Sequence, residues 1–203
     1  MDPLQRACKD VRYLLDRGYD RYSALNFVSG HYRLDKKERN FVARSVFSGK
    51  EIEDHGKRRL PLSRIKGKTI VVDGYNILIA AECALGRGPL IKSDDGFHRD
   101  ALGVFGRYKT NIYTTVAIER ILAILKKYKP DRVVFLFDSQ VSRSGQLAAL
   151  VRKRMAEAGL GGEARTTPNA DYEIKQMNEI TATSDSAIIE KVGKVVDIIG
   201  VLK

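Results

Sequence analysis

Apolar residues recur at Leu4, Cys8, Val11, Leu14 and Leu15, a spacing that places them on one stripe of a helix over residues 4–17. Gly18 is positioned as its left-handed C′ residue. Asp20 then caps a second helix through about Tyr32, with Tyr22, Leu25 and Val28 facing inward. Asp35 and Glu38 form a capping box for a third, continued by Phe41, Val42, Ser45 and Val46 until Gly49. Residues 50–66 read as a linker, with a short strand near Leu60–Leu62. Three short helices bury little area, so this unit is expected to lean on the domain C-terminal to it.

From Gly67 the pattern changes to β-favouring runs alternating with helical ones. Strands are expected at Thr69–Val72, Arg132–Phe137, Glu163–Thr166, Ile180–Thr183 and Val195–Leu202. Helices are expected over about Ile112–Tyr128 (Val116, Ile121, Leu122 and Leu125 inward), Gly145–Ala158, Ala170–Met177 and Ser186–Val192. This alternation predicts an α/β fold: a mainly parallel five-stranded sheet flanked by helices, joined by right-handed crossovers. The domains are therefore residues 1–66, a basic helical unit with linker, and residues 67–203. Residues 77–109, rich in glycine and charge, read as a long loop of the kind that is usually functional or disordered.

Charge sharpens this picture. The 203-residue chain has 36 Lys and Arg against 25 Asp and Glu, a net +11. Residues 1–66 hold 16 basic and 9 acidic residues, a net +7, and residues 67–203 hold 20 and 16, a net +4. Such a balance favours a polyanionic partner, and nucleic acid leads the list. Arg33, Lys36, Lys37, Arg39 and Arg44 fall on outer helix faces, followed by Lys57, Arg58, Arg59, Arg64 and Lys66. The interleaved Tyr19, Tyr22, Tyr32 and Phe41 read as core packing in preference to base-stacking platforms. No apolar run reaches the ~20 residues of a membrane helix, so no membrane partner is expected. The start Met1-Asp2-Pro3 and the charged segment after it do not resemble a signal peptide, and two cysteines, Cys8 and Cys83, suit a reducing, cytoplasmic setting.

The chemistry is carried by acids at strand ends. Asp73, Asp138 and Asp185 each close a β-strand, and Asp171 opens a helix just after another. Singly, each has a plain structural reading as an N-cap or turn residue. Together they fall on one edge, because parallel strands end on the same side. Four carboxylates ~5 Å apart repel by about 3 kcal/mol per pair at an effective dielectric of ~20, which calls for a cation. With neither histidine nor cysteine beside them, the donors are all oxygen and suit Mg²⁺ or Mn²⁺. Such an ion would bind a phosphodiester and activate water.

Val71-Val-Asp-Gly-Tyr-Asn-Ile-Leu78 resembles the opening strand of the NYN branch of the PIN-like nucleases. Phe135-Leu-Phe-Asp138, Ala170-Asp171 with Glu173-Ile174, and Ala182-Thr-Ser-Asp185 resemble the later acidic motifs, in order. The N-terminal helices joined to such a domain resemble an uncharacterised prokaryotic family of that build. The resemblance implies a Rossmann-like PIN domain and a Mg²⁺- or Mn²⁺-dependent endoribonuclease with Asp73, Asp138, Asp171 and Asp185 as catalytic acids. Asp73, Asp138 and Asp185 would hold the metal; Asp171 would complete the site or position water. Asn76, Ser139 and Ser184 would touch the substrate beside it. The 77–109 segment departs from the family's pattern; Arg99, Arg107 and Lys109 in it would contact phosphates, and Asp100 is the best additional acid, ahead of Asp94 and Asp95 in the same segment and Glu119 on the following long helix. Rival readings are a PIN-like module that holds RNA or protein without cutting, and a phosphatase with Asp73 as nucleophile. A homodimer remains open.

Overall fold

The computed structural model describes residues 2–202 except Leu102 and Val104. The ends of both expected domains, Met1 and Lys203, thus lie outside the described residues. Helices α2 (Arg21–His31) and α3 (Lys36–Ser45) begin at their expected caps, Asp20 and Asp35 with Glu38, and α1 (Pro3–Asp16) starts one residue before the expected helix, capped by Asp2. Ala7, Val11, Leu25, Val28, Val42 and Val46 form their shared core. Tyr22 departs from expectation: it is 69% exposed, as Tyr19 is 59% exposed, so neither belongs to that core. The expected linker begins with a fourth helix, α4 (Gly49–Arg58), capped by Ser48 and Glu51. A 3₁₀ turn at Leu62–Ile65 follows, and the strand expected at Leu60–Leu62 reduces to one parallel bridge between Arg59 and Val195.

The main sheet contains β1 (Thr69–Asp73), β4 (Arg132–Asp138), β5 (Gly162–Thr167), β6 (Ile180–Ala182) and β7 (Val195–Val196). Its strand order is β5-β4-β1-β6-β7, and every pairing is parallel. Between them lie α5 (Gly74–Glu82), a small hairpin of β2 (Leu90–Lys92) and β3 (His98–Asp100), α6 (Thr114–Tyr128), α7 (Ser144–Ala158), α8 (Ala170–Met177) and α9 (Ser186–Ile189). Alternation along the strands separates two cores. Ile70, Val72, Val133, Phe135 and Phe137 face α5, α6 and α7. Val71, Val134 and Leu136 face α8, α9 and Phe97 of the hairpin.

Several boundaries differ from the sequence reading, α9 for one ending at Ile189 in place of Val192. Residues 77–109 are largely ordered elements, because Ile77–Ala81 continues a helix buried on nearly every side. Such a helix lacks the polar stripe that would reveal its period. The helix expected from Ile112 starts at Thr114; Ile112 is 86% exposed and Val116, expected inward, is 44% exposed. The last strand stops at Val196, and Ile199–Val201 turns instead into a 3₁₀ segment.

Gly74 is needed for close approach. A Cβ there would lie 2.5 Å from the Phe137 ring and 2.6 Å from the Leu136 carbonyl oxygen. Its absence lets α5 start directly over the neighbouring strand, so Asp73 and Asn76 straddle one tight corner.

The helical unit leans on the sheet domain as expected, through side chains that cross between them. Arg12 pairs with Asp94 and Arg44 with Asp100, while Arg58 donates to the carbonyls of Ile189, Glu190 and Val192. Among the described residues, no helix is long and apolar enough to cross a membrane.

Candidate acidic site

Chain order places β4 and β5 on one side of β1 and β6 and β7 on the other. The carboxyl ends of β1 and β6 therefore flank a switch point, where open α/β sheets leave a crevice. Val72 pairs with Ala182. One residue further on, Asp73 and Thr183 meet: Thr183 Oγ1 donates to Asp73 Oδ2 at 2.7 Å. Asp73 is the N-terminal flanking residue of α5; its side chain forms no capping bond, and the Asn76 backbone N–H exerts only a minor pull on its carboxyl.

Burial pushes the Asp73 carboxyl up to about 7; the Thr183 hydrogen bond pulls against this, and the charges of Asp185 and Asp171 add to it. Asp171, in the first turn of α8, is also raised, by burial first and then by Asp185, with Lys191 opposing and Asp138 adding. Asp73, Asp171 and Asp185 line one cavity of 110 Å³ together with Arg44, Asn76, Ile79, Asp100 and Gly103. The cavity has room for a phosphoryl group or a partly hydrated ion.

Asp185 does cap α9, accepting from Ala187 N at 2.8 Å, while also facing the cavity. Asp138 accepts from Gln140 N at 2.8 Å in a turn, and α7 begins only at Ser144, so it is no helix cap. It stands outside the lining, near enough for its charge to reach Asp171 and Tyr75. Tyr75, buried between these positions, has its phenol raised to about 12 by burial and by Asp138.

Asn76 spans the switch point. Its Oδ1 accepts from Ser184 N at 2.8 Å and Ser184 Oγ at 2.9 Å. A backbone N–H can only donate, which fixes the oxygen on that side and leaves the Nδ2 amide as the group Asn76 can offer a ligand. Ser184 is thereby a strut, since its carbonyl also accepts from Arg99 Nε at 2.6 Å. Ser139 is exposed beyond β4, its N–H on the Thr167 carbonyl, and does not line the cavity.

Arg99 corrects the expectation of a phosphate contact. It is 3% exposed and forks onto both Asp95 oxygens at 2.6 Å. His55 Nδ1 meets Asp95 Oδ2 at 2.7 Å. Burial alone would raise Asp95, but Arg99 and His55 overcome it and hold it down at about 2. Asp94 and Asp100, paired with Arg12 and Arg44, likewise serve the contact between the two units. Glu119 pairs at 3.6 Å with Arg154.

Arg107 and Lys109 line a second cavity of 940 Å³ with Tyr75, Tyr108, Ser142 and Arg143. Tyr75 places it next to the acids. Behind it, Glu82 is fully buried and accepts from Tyr108, Asn111 and Thr114 while pairing with Arg87, which fastens the segment carrying Arg107 and Lys109 to α5.

Among the described residues, no group of three or more His, Cys, Asp or Glu side chains forms a metal-holding cluster. Mg²⁺ needs only one or two direct carboxylates and keeps waters elsewhere. Asp73, Asp171 and Asp185, lining one cavity, offer oxygen donors of the kind such an ion takes.

Residues 62–201 match the family described as a domain of unknown function, DUF5616, and residues 3–58 match the one described as a protein of unknown function, DUF434. The chain is 42% identical over 198 residues to "Uncharacterized protein MJ0935" of Methanocaldococcus jannaschii, covering 97% of this chain and 94% of that one. No solved structure matches.

Proposed function

The chain belongs to the DUF5616 family, whose description assigns no chemistry, and from the site itself we propose a PIN-like, Mg²⁺- or Mn²⁺-dependent endoribonuclease acting in the cytoplasm. The observation that carries this is Asp73: a buried carboxyl at the switch point, raised to about 7 and facing the charges of Asp185 and Asp171. A bound Mg²⁺ or Mn²⁺ would supply charge for a phosphodiester oxygen and lower the pKa of water. Asp73 and Asp185 would hold it, with Asp138 acting through water from outside the cavity. Asp171, at the exposed rim, would orient the attacking water, and its raised affinity for a proton suits it to accept one. Asn76 Nδ2 would donate to the substrate from the cavity wall.

The cavity holding the acids would take the scissile phosphate, with the rest of the strand running beyond it. The adjoining 940 Å³ cleft, with Arg107, Lys109 and Arg143, would receive the strand. The test is cleavage of single-stranded RNA that needs Mn²⁺ and is abolished in Asp73→Asn and Asp185→Asn. Activity that survives both substitutions would remove the assignment.

The same cleft favours a second reading, a module that holds RNA without cutting it. Its cations are separate from the acids, so that reading requires RNA binding indifferent to removal of divalent ions.

A further inference from the structure

We propose that Arg44, supplied by the helical unit, is a phosphate-contacting residue of the acidic site, so that the site is complete only when α3 is docked against the sheet domain. The inference rests on the nuclease reading above and adds a residue from outside the domain that carries the acids.

Arg44 lies in the last turn of α3. It lines the same 110 Å³ cavity as Asp73, Asp171 and Asp185. Its Nη2 donates to Asp100 Oδ2 at 2.6 Å, and that carboxylate is 4% exposed. Asp100 in turn accepts from Gly103 N at 3.1 Å, so the anchor is itself held in place. The Arg44 side chain as a whole is 31% exposed. Its Nε, buried, meets no hydrogen-bond acceptor among the described residues.

A guanidinium presents five N–H groups in a planar fork that matches phosphate oxygens. Here one arm is tied down and the fork is under-satisfied. A small rotation toward a phosphoryl oxygen in the cavity would improve its bonding. The electrostatics point the same way. Four aspartates line the cavity: Asp100 is paired with Arg44, and the other three, Asp73, Asp171 and Asp185, repel a phosphate with a charge that a divalent ion offsets only in part. Arg44 is the basic side chain among the cavity's lining residues. Its contact would stabilise charge on the non-bridging oxygens, the role for which arginine's fork is suited.

The experiment compares full-length wild type, Arg44→Ala, Arg44→Lys and Arg12→Ala. Arg12 pairs with Asp94 between the same two units but does not line the cavity, so Arg12→Ala reports loss of a docking contact alone. Arg44→Lys keeps a cation for Asp100 and removes the fork. Two readouts are taken: Mn²⁺-dependent cleavage of a single-stranded RNA oligonucleotide, and amide chemical shifts of Asp100 and Gly103 during titration with inorganic phosphate in Mg²⁺. Expected is a fall of about 100-fold in kcat for Arg44→Ala, partial recovery in Arg44→Lys, and a near-normal rate in Arg12→Ala. The phosphate-induced shifts should be present in wild type and Arg12→Ala and absent in Arg44→Ala. Wild-type behaviour of Arg44→Ala in both readouts, or equal losses in Arg44→Ala and Arg12→Ala, overturns the proposal. If wild type binds phosphate through Arg44 but cuts no RNA, the nuclease reading falls and the anion contact stands. If wild type cuts RNA and Arg44→Ala matches it, the reverse holds.

Discussion

Thr183 Oγ1 donates to Asp73 Oδ2 at 2.7 Å, joining the last residue of the central strand to the first residue beyond its neighbour β6. That bond is the main influence pulling the Asp73 carboxyl down, and burial still holds it near 7. The balance between the two sets how the protein responds to pH.

Asp73 is the unusual case of a carboxyl raised on folding, from 3.8 to about 7. The folded state therefore prefers its protonated form. The contribution to stability is complete below pH 4 and is lost as pH rises through 7. Without divalent ions, wild type should lose stability relative to Asp73→Asn across that window, by on the order of 4 kcal/mol. Mg²⁺ should restore much of the loss at pH 7 and leave Asp73→Asn little changed. Urea unfolding of both proteins at several pH values checks this.

Asp95 behaves in the opposite sense. Held at about 2 by Arg99 and His55 against burial, it contributes stability at neutral pH that disappears as pH falls through 2. Asp95→Asn would leave the Arg99 guanidinium buried without its counter-charge. The expected cost is about 3–5 kcal/mol, read as a shift of the urea midpoint at pH 7. Arg99 also holds the Ser184 carbonyl, so amide signals near Asn76 and Ser184 should move as well.

Gly74→Ala asks whether the corner between β1 and α5 can open. The added methyl would sit 2.5 Å from the Phe137 ring. Overpacking of this kind costs about 1–3 kcal/mol, and relief requires moving Asp73 or Asn76 off the switch point. Thermal unfolding should show the loss of stability. Activity should drop further than stability does, measured on the fraction still folded.

The basic cleft predicts a salt signature. Replacing Arg107, Lys109 and Arg143 together with alanine removes three cations from one cavity wall. The slope of log affinity against log salt for a single-stranded RNA should become shallower by about 2 units. Fluorescence anisotropy at several salt concentrations measures it. An unchanged slope would place the strand elsewhere.

Much of the scaffold is legible in the sequence because its signals are local. Capping boxes, helical stripes and β-favouring runs ending in aspartate each announce themselves within a few residues. Ser48-Gly-Lys-Glu51 carries the same box as Asp35–Glu38, but it opens a strongly charged stretch that reads as linker. Helix α5 is hidden for the opposite reason, having scarcely any polar face. The convergence of Asp73, Asp171 and Asp185 follows from parallel topology and can be anticipated. The fates of Arg99 and Arg44 cannot. Arg44 meets a carboxylate 56 residues along the chain, and Arg99, although paired with a carboxylate only four residues away, is turned inward onto the Ser184 carbonyl 85 residues on.

Leu60 N donates to the Val195 carbonyl at 2.7 Å, beside the Arg59–Val195 bridge, so the connection between the two units runs along the outer flank of β7. That rim is already occupied by the protein's own backbone. A second copy seeking to extend the sheet would meet a taken seat there and would have to approach β5, where Glu163 and Arg165 carry the charges that discourage such pairing.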